Sequence, residues 1–539
     1  MKKIPAYFPG VSIIAFLLLL TLVSILYGYN KTIWYNPCSI HQWRQTDCYS
    51  FAVNYYQEGM EFFKPSLHFI GRSETGKTSA EFPVIYYIVA AFWKVFGQKA
   101  IIFRLINILI VFSGLAALFK LTERLIKDTT WALMLTILLF TSPILIFYTN
   151  NFLSDAPAFG LSLVGLYFFY LFFYNRKNKH LYIACFFFLM GALLKVTAAM
   201  FFVSIVSVFV LERIPFFKFG EKGKLFHEPS RQVVPLLLVF AGVYAWYSYS
   251  AWYNKIHNGD YFLLGISPLW KMKYSDIITI SRALNENLIY QYFNIYTFII
   301  VLCMFAWLLI MWKKNNLFFV TVSAMLFIGC SGYLVLFYNV FDVHDYYLIN
   351  LLIFMAFVPL AFMKYVKDNH PRILGNTRIK MAFLLLLCFN IYYAHHKNRI
   401  KYQQKQEVWH YSFLNRSDEV EYWRWFHWYY KDNTRAYETV TPYLRLLGIE
   451  RTDRVISISD QSPNISLALM DVKGVTDYGG KIETAERVIH EINRGAQYLI
   501  VNKRELVEAD FLKDFTISKM GSYQNIEIFD LRSFHSVNK

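Results

Sequence analysis

The sequence predicts an all-α protein that crosses a membrane many times and ends in a small α/β domain. Hydrophobic residues form 56% of the 539 residues and aromatic residues 19%, which is more than a soluble core of this length requires. Long apolar runs continue to about residue 393, and the sequence beyond them alternates short apolar runs with polar stretches. We therefore predict a membrane domain at 1–394, with an outer loop at 30–98, and an extracytoplasmic part at 395–539.

About eleven apolar runs are close to the length that spans a bilayer. They lie at about 11–27, 101–119, 131–148, 156–174, 181–196, 197–211, 233–251, 293–312, 317–338, 346–363 and 379–393. No small-residue cleavage site follows the first run, which we interpret as a retained signal anchor. A further stretch at 82–97 is about fifteen residues long and contains Lys94, which is typical of an interfacial helix.

The positions of lysine and arginine predict the orientation, because short cytoplasmic loops collect positive charge. If 82–97 lies along the outer surface, the short basic loops all face the cytoplasm, at 120–127, 176–179, 213–231, 313–314 and 364–380. We therefore predict a multi-pass protein of the plasma (inner) membrane, with the loop 30–98 and the C-terminal part on the periplasmic or outer side. The formal charge of +17 is explained by these loops, so no nucleic-acid partner is expected.

The C-terminal part has the pattern of a small α/β domain of about 90 residues. Short strands are predicted at 454–459, 497–501 and 525–529, with helices at 464–470 and 483–493 between them. A preceding stretch contains Trp409, Trp423, Trp425 and Trp428 and predicts a juxtamembrane helix at the interface. The domain contains no glycine-rich phosphate loop and no cysteine or histidine spacing of a metal site.

The cysteines leave one question open. Cys38 and Cys48 both lie in the first outer loop, where an oxidising compartment would permit a disulfide between them. The other four cysteines lie in apolar runs, and none of the six has metal-ligand spacing.

The first outer loop opens with the polar run His41-Gln-Trp-Arg-Gln-Thr-Asp47. The Trp43 indole offers a stacking face, and the Arg44 guanidinium offers a forked pair of donors, so both suit a sugar or a phosphate. Asp47 ends the run with one carboxylate. An alternative interpretation is an interfacial belt in which Asp47 caps a helix that starts there.

Polar residues at three other places lie at the ends of apolar spans, on the same predicted outer side of the membrane. Asp155 lies at a predicted helix start, where the helix dipole alone would favour a carboxylate. Lys195 ends a long apolar run, so it either snorkels to the interface or marks a substrate path. His344, Asp345 and Tyr346 open another span, where tyrosine is common in the aromatic belt and aspartate as a cap.

The predicted topology places these groups and Glu81 on one membrane face. Carboxylates there suit proton transfer or metal binding, and cations suit a phosphate, which together favour transfer of a group from a phosphorylated lipid. No nucleotide-binding motif is present, so the donor itself must carry the activation energy.

Seven short motifs follow one another along the chain: Trp43-Arg-Gln-Thr-Asp47, Glu81-Phe-Pro-Val-Ile-Tyr-Tyr, Gly97, Arg104-Leu-Ile-Asn, Asp155, Leu194-Lys195 and His344-Asp-Tyr-Tyr347. Their order and spacing resemble the bacterial members of the dolichyl-phosphate-mannose protein mannosyltransferase family, over roughly residues 10–365. The resemblance implies a GT-C fold and a glycosyltransferase that takes one sugar from a polyprenyl-phosphate carrier on the outer face, with inversion at the sugar.

The resemblance also implies roles for single residues. Asp47 would be the catalytic base, Asp155 would support the acceptor or a metal, and Glu81 would lie close to the reaction. Lys195, Arg104 and His344 would face the lipid phosphate. Further substrate contacts are predicted at Trp43, Arg44, Asp345 and Tyr346.

Several alternatives stay open from the sequence. Asp47 is followed by Cys48, where protein mannosyltransferases usually carry a second acid, so the acceptor is an envelope glycan, a lipid or a protein. A divalent metal is an open expectation, and no other cofactor is expected. A transporter or flippase of lipid-linked glycans would also need polar groups at membrane depth, although transporters usually place them at the midplane between repeated halves.

Overall fold

The computed structural model describes residues 9–220, 223–259, 266–402, 414, 417–480 and 482–536. The chain forms two compact units. The membrane unit contains Met1–Ile33, Arg104–Trp246 and Gly265–Arg399, and the loop unit contains Trp34–Phe103, Tyr247–Leu264 and Ile400–Lys539. Residues 34–98 of the predicted loop 30–98 therefore group with the C-terminal residues, whereas 30–33 belong to the membrane unit.

Helices account for most of the chain before residue 400. In chain order they are α1 (Pro9–Leu26), α2 (Tyr29–Thr32), α3 (Gln42–Glu58), α4 (Val84–Phe96), α5 (Ala100–Ile126), α6 (Thr129–Leu139), α7 (Pro143–Thr149), α8 (Asp155–Asn175), α9 (Asn178–Leu194), α10 (Met200–Leu211), α11 (Pro229–His257), α12 (Tyr274–Ala283), α13 (Ile289–Tyr292), α14 (Ile295–Ile310), α15 (Leu317–Leu336), α16 (Leu352–Asn369), α17 (Pro371–Gly375) and α18 (Thr377–Ile400). Every predicted apolar run coincides with one or two of these helices.

Among the described residues, six helices are long and apolar enough to cross a membrane. They are Ala100–Ile126, Asp155–Asn175, Pro229–His257, Leu317–Leu336, Asp345–Asn369 and Thr377–Ile400. The number rises to eight if α6 with α7, and Tyr274–Tyr292 with α14, each count as one bent span. The apolar helices Val11–Leu26, Val84–Phe96, Asn178–Leu194 and Val196–Leu211 are shorter. The predicted polytopic helical fold is confirmed, and the count of about eleven spans stays a prediction.

The apolar run 131–148 is one stretch in the sequence but two helices in the structure, bent by 80°. Pro143 has no amide hydrogen to continue a helix, and it occupies the first turn of α7. The Ser142 hydroxyl accepts from the amide of Leu145 and so caps the new helix. The bend is therefore encoded by the Ser142-Pro143 pair inside an otherwise uniform apolar run.

Close backbone packing holds the membrane unit together. A Cβ atom on Gly114 of α5 would lie 2.4 Å from the carbonyl oxygen of Gly160 in α8, so only glycine fits at this crossing. Small residues that allow such approach are common where helices pack within a membrane. Aromatic rings fill other positions, and Phe16 stacks on Phe119 with centroids 4.7 Å apart.

In the loop unit, α3 packs against α4. Phe51 stacks on Tyr86 at 5.4 Å, and Tyr49 meets Trp93 edge-on at 5.4 Å. With 13 residues, α4 is shorter than a bilayer span, as expected for the predicted interfacial helix at 82–97. Gly97 follows its last residue, and the φ of 78° at Gly97 belongs to the left-handed region that glycine adopts readily.

The C-terminal residues form a five-stranded sheet with strand order β2-β1-β3-β5-β4. The strands are β1 (Arg454–Ile458), β2 (Lys473–Thr476), β3 (Tyr498–Asn502), β4 (Lys519–Tyr523) and β5 (Ile526–Asp530), and the accompanying helices are α19 (Ser417–Asn433), α20 (Thr441–Leu446), α21 (Ile465–Met470) and α22 (Ala485–Asn493). Strand β1 is parallel to β2 and β3, and β5 is antiparallel to β3 and β4. The three predicted strands and the two predicted helices are confirmed. The juxtamembrane prediction coincides with α19, apart from Trp409, which lies outside the described residues.

The first loop extends this sheet at its β2 edge. The amide of Ile70 donates to the carbonyl of Gly474 at 2.9 Å, and the amide of Gly474 donates to the carbonyl of His68 at 3.1 Å. The His68 ring is fully buried and pairs with Asp471 at 3.0 Å. Backbone pairing and this side-chain hydrogen bond explain why the first loop and the C-terminal sheet belong to one compact unit.

The orientation derived from the basic loops is directly testable. We expect a membrane-impermeant thiol reagent, applied to intact cells, to label a cysteine at Thr75 and to spare one at Lys179. Both side chains are exposed, so accessibility within the protein does not bias the comparison. The six native cysteines must be replaced first, and labelling after cell lysis controls for reactivity at Lys179. Labelling of Lys179→Cys in intact cells would overturn the orientation.

Candidate active site

Asp47 lies inside α3, with its carboxylate directed into the loop unit and only 1% of the residue exposed. The helix begins at Gln42 after His41, whose backbone is left-handed, so the alternative in which Asp47 caps the helix is wrong. Burial raises the pKa of Asp47 to about 7, the Arg44 guanidinium opposes this rise, and the Glu81 carboxylate adds to it. A carboxylate that changes charge near neutral pH suits a general base.

Arg44 connects the two carboxylates. It precedes Asp47 by three residues on α3, so both side chains lie on one helix face. One guanidinium nitrogen lies 3.9 Å from Oδ2 of Asp47, and the other contacts both Glu81 oxygens at 2.6 and 2.7 Å. The Tyr86 hydroxyl donates to Glu81 and lies 3.2 Å from Sγ of Cys48. The structure thus joins the predicted residues Asp47, Arg44 and Glu81 in one buried cluster.

The C-terminal domain contributes two residues that the sequence analysis missed. Asn464, which immediately precedes α21, is fully buried, and its side-chain amide favours the charged form of Asp47 and so lowers its pKa. Asp460 shapes this turn, because it accepts from the Ser462 hydroxyl at 2.6 Å and from the Ser466 amide at 2.7 Å. Both residues follow β1, and the carboxyl ends of parallel strands are where ligands usually bind in α/β sheets. Their position after a parallel strand was therefore the sequence signal that could have identified Asp460 and Asn464.

Two other predictions for the first loop can now be compared with the structure. Cys38 and Cys48 are free thiols, so the possible disulfide between them is not formed. Cys48 is buried beside Tyr86, whereas the Cys38 backbone is held by the Gln45 side chain. The Trp43 indole is half-buried, and its predicted contact with a substrate stays a prediction.

A second cluster lies in the membrane unit around Lys195. This residue has an extended backbone between α9 and the 3₁₀ turn Val196–Ala199, so its side chain is directed differently from those of the helix. Its ammonium lies 2.9 Å from Oδ1 of Asp155 and 4.3 Å from the centre of the Tyr347 ring. The same ammonium lies 5.4 Å from the centre of the Tyr346 ring. The side chain therefore pairs with a buried acid in this structure, which the snorkelling alternative did not anticipate.

Asp345 and His344 begin the helical segment that continues into α16. Asp345 is buried and accepts a hydrogen bond of 2.5 Å from the Tyr148 hydroxyl. The Nδ1 atom of His344 donates to the carbonyl of Val340 at 3.2 Å, and its ring meets Tyr346 edge-on at 5.5 Å. Tyr346 is also buried, so tyrosine rings connect Lys195 to this segment.

Arg104 is fully buried in the membrane unit. It donates to the carbonyl of Asn150 and lies 4.5 Å from the Phe152 ring. Asn107, one turn later on α5, donates to the carbonyl of Asn151 at 2.9 Å. In this structure Arg104 shapes the segment that leads into Asp155, and its contact with a donor phosphate stays a prediction.

The carboxylates, histidines and cysteines of the described residues form no group of three or more with the spacing of a metal site. In the Asp47 cluster, Arg44 provides positive charge to both carboxylates. The expectation of a divalent metal stays a prediction that chelation can test.

The family described as Dolichyl-phosphate-mannose-protein mannosyltransferase matches residues 79–221. This segment includes the Glu81 motif, Arg104, Asp155 and Lys195. The predicted resemblance to this family is therefore confirmed over a segment that contributes residues to the Asp47 cluster and to the Lys195 cluster. No curated protein matches the chain.

The fold is shared with solved structures of ArnT from Cupriavidus metallidurans. The apo structure matches with a TM-score of 0.55 at 9% identity, over 96% of this chain and 97% of that chain. The structure bound to undecaprenyl phosphate matches with a TM-score of 0.57 at 10% identity, over 95% and 97%. The class that the sequence predicted, a GT-C type membrane fold with a small C-terminal domain, is therefore confirmed.

Proposed function

We propose that this protein is an integral membrane glycosyltransferase that moves a sugar from a polyprenyl-phosphate carrier to an envelope glycan, lipid or protein. The observation that carries the proposal is the buried Asp47, with its raised pKa and its link through Arg44 to Glu81. The match to the mannosyltransferase family over 79–221 supports the class of reaction. The ArnT structure of the same fold that holds undecaprenyl phosphate supports the class of donor.

The proposed reaction is a single displacement at the anomeric carbon of the donor sugar. A hydroxyl of the acceptor loses its proton to the Asp47 carboxylate while its oxygen forms the new bond to the anomeric carbon. The bond from that carbon to the phosphate oxygen breaks, and the polyprenyl phosphate leaves with the bonding electron pair. One displacement inverts the configuration at the sugar, and no other reactant is needed.

In this proposal Lys195 stabilises the negative charge of the leaving phosphate. Its ammonium is held between Asp155 and the ring of Tyr347, which fixes its position before a substrate arrives. His344, Asp345 and Tyr346 complete the surroundings of this cation, while Trp43 is proposed to contact substrate from the first loop. We place the reaction on the periplasmic or outer side of the plasma membrane, from the distribution of basic loops.

Lys195→Ala is expected to impair use of the lipid donor more than Lys195→Arg does. Either cation can face a phosphate, whereas alanine removes the charge and leaves Asp155 without this partner. The expected loss is on the order of 1.5–3 kcal/mol in apparent donor binding, the range for hydrogen bonds to charged groups. Initial rates against donor concentration measure it, with Lys179→Ala, at an exposed lysine, as the control. Full activity of Lys195→Ala would remove it from donor binding.

The proposal is tested by comparing cells with and without this chain. Mass spectrometry of their glycolipids and glycoproteins should show one sugar missing from one class of envelope molecule when the gene is deleted. The purified protein should then transfer that sugar from its polyprenyl-phosphate form, and the same assay with a chelator decides whether a divalent metal is required. Movement of the lipid-linked sugar across vesicles without transfer would instead establish a flippase.

A further inference from the structure

The loop unit contains a cavity of about 610 Å³, within the range of small-molecule sites. Three segments of this unit line it: residues 67–78 of the first loop, Asn258 and Gly259, and residues 475–494 of the C-terminal domain. Asp47, Arg44 and Glu81 are not among its lining residues. The cavity is therefore distinct from the acid cluster described above.

One face of α22 supplies much of the polar lining. Arg487, His490 and Glu491 of α22 line the cavity with Arg494, the residue that follows the helix, and the four have the spacing of a single helix face. The opposite face carries Val488 and Ile492, which are buried in the core beside the sheet. Packing of the apolar face thus fixes the orientation of the polar face, so the charged side chains are presented by a rigid element.

The net charge of the lining is positive. Arg494 pairs with Glu491 at 2.9 Å and also donates to the carbonyl of Gly71 at 2.5 Å, so these two residues close one wall. Arg487 and Arg72 line the cavity from opposite segments, and both are exposed. Neither of their side chains makes an ion pair with another residue that the structure describes. Two guanidinium groups are therefore available to an anionic ligand.

The rest of the lining suits a sugar. Phe69 and Tyr478 are half-buried and meet edge-on with centroids 6.3 Å apart, which provides apolar ring surface. Ser73, Thr78 and Thr476 add hydroxyl groups to the lining. Ring faces, hydroxyls and cations together match a molecule with an apolar sugar face, many hydroxyls and an acidic group.

We propose that this cavity binds a saccharide that carries a phosphate or carboxylate group. If the proposed function holds, this saccharide is part of the acceptor, and the C-terminal domain selects acceptors by their charge. The first loop supplies Arg72 and Phe69, and the domain supplies Arg487 and Tyr478, so neither segment alone forms the site.

Calorimetric titration of the purified full-length protein tests this proposal. The probes are glucose 6-phosphate and glucuronate as anionic sugars, glucose as the neutral sugar, and inorganic phosphate as the anion alone. We expect binding of the anionic sugars, weakened by salt, and at least a tenfold weaker association for the double variant Arg72→Ala, Arg487→Ala. Arg435→Ala, at an exposed arginine outside the cavity lining, is the matched control and should bind as the parent does.

Each other result contradicts the proposal. Equal binding of glucose and glucose 6-phosphate would exclude recognition of charge, and equal binding of inorganic phosphate and glucose 6-phosphate would leave an anion site only. Unchanged binding by the double variant would place the sugar elsewhere.

The same sugars on an alkyl chain in lipid nanodiscs distinguish a glycolipid from a free sugar as the source.

The binding test is independent of catalysis. Asp47→Asn should lose sugar transfer and still bind glucose 6-phosphate, because Asp47 does not line the cavity. Binding without transfer activity in the parent protein would contradict the proposed function alone. Transfer activity without binding of either anionic sugar would contradict the cavity proposal alone.

Discussion

Asp47→Asn is expected to yield a folded, membrane-inserted protein that transfers no detectable sugar. A hydroxyl acceptor is a weak nucleophile at neutral pH, and loss of a general base costs roughly 10²–10⁴-fold in rate. Asparagine has nearly the same shape as aspartate and cannot accept the proton. The measurement is transfer from a purified polyprenyl-phosphate sugar to the native acceptor, with the protein in detergent or nanodiscs.

The stability of this variant separates the catalytic role from a structural one. The Asp47 pKa is raised from 3.8 to about 7, so between these values the folded state holds a proton that the unfolded state has released. The free energy of unfolding of the parent therefore falls as pH rises through this window. Asparagine does not titrate, so the Asp47→Asn variant does not lose this stability. We expect the thermal midpoint of Asp47→Asn at pH 8 to equal or exceed that of the parent. Near-parental turnover would exclude Asp47 as the base and leave Asp155 as the next candidate.

Apolar length and turn chemistry made most of the membrane unit predictable. Each run corresponds to helices, because an apolar stretch in a bilayer must satisfy its backbone hydrogen bonds internally. The breaks within runs were harder to predict, since only local features such as Ser142-Pro143 mark them. The sequence analysis placed Lys195 at the end of a run, but it could not show that Asp155 would be its partner, because such a pair depends on how two helices pack.

In the C-terminal sheet, strands β1, β3 and β5 were predicted from the sequence and strands β2 and β4 were not. Strands β1, β3 and β5 are largely buried and rich in β-branched or aromatic residues, so their pattern was visible. Strand β2 has four residues including Gly474, and β4 is a partly exposed edge strand that contains Gly521. Glycine and exposure both weaken the strand signal. Gly474 is nevertheless required, because a Cβ there would lie 2.0 Å from the carbonyl oxygen of Val455.

For the candidate site, motif order identified residues that the structure brings together, namely Asp47, Arg44 and Glu81. Glu81 is distant from Asp47 in the sequence, and Arg44 bridges them only after α3 and α4 have packed. Asn464 was missed because its local sequence is that of an ordinary helix start, and only its position after a parallel strand marked it. Its influence on Asp47 arises from the tertiary fold of the loop unit.

Arg44→Gln is expected to lower the rate of sugar transfer at pH 7. It should also shift the acidic limb of the pH–rate profile to higher pH. The rate should rise with pH through the Asp47 pKa, because only the deprotonated carboxylate acts as a base. The Arg44 charge favours that form, so its removal raises the pKa of Asp47 above its value of about 7. Activity should therefore recover partly at alkaline pH, which distinguishes a shifted titration from a lost catalytic group.

The same variant is expected to be less stable. The Asp47 and Glu81 side chains are 2% and 9% exposed, so without Arg44 two buried carboxylates lose the cation that lies beside both. Loss of one partner from a buried ion pair costs about 3–5 kcal/mol, and uptake of a proton by one of the acids reduces this loss. The thermal midpoint should therefore fall more at pH 9 than at pH 6, where protonation is easier.

Arg451→Gln provides the matched control for Arg44→Gln. Its side chain is 15% exposed, compared with 16% for Arg44, and it also joins two acids, Glu58 at 2.7 Å and Asp471 at 3.0 Å. Both arginines belong to the loop unit, so a general loss of stability should affect the two variants alike. Of these two arginines, only Arg44 is among the groups that shift the pKa of Asp47. The pH profile of transfer should therefore shift for Arg44→Gln and stay in place for Arg451→Gln, and an equal shift in both would show that Arg44 acts on the fold and not on the base.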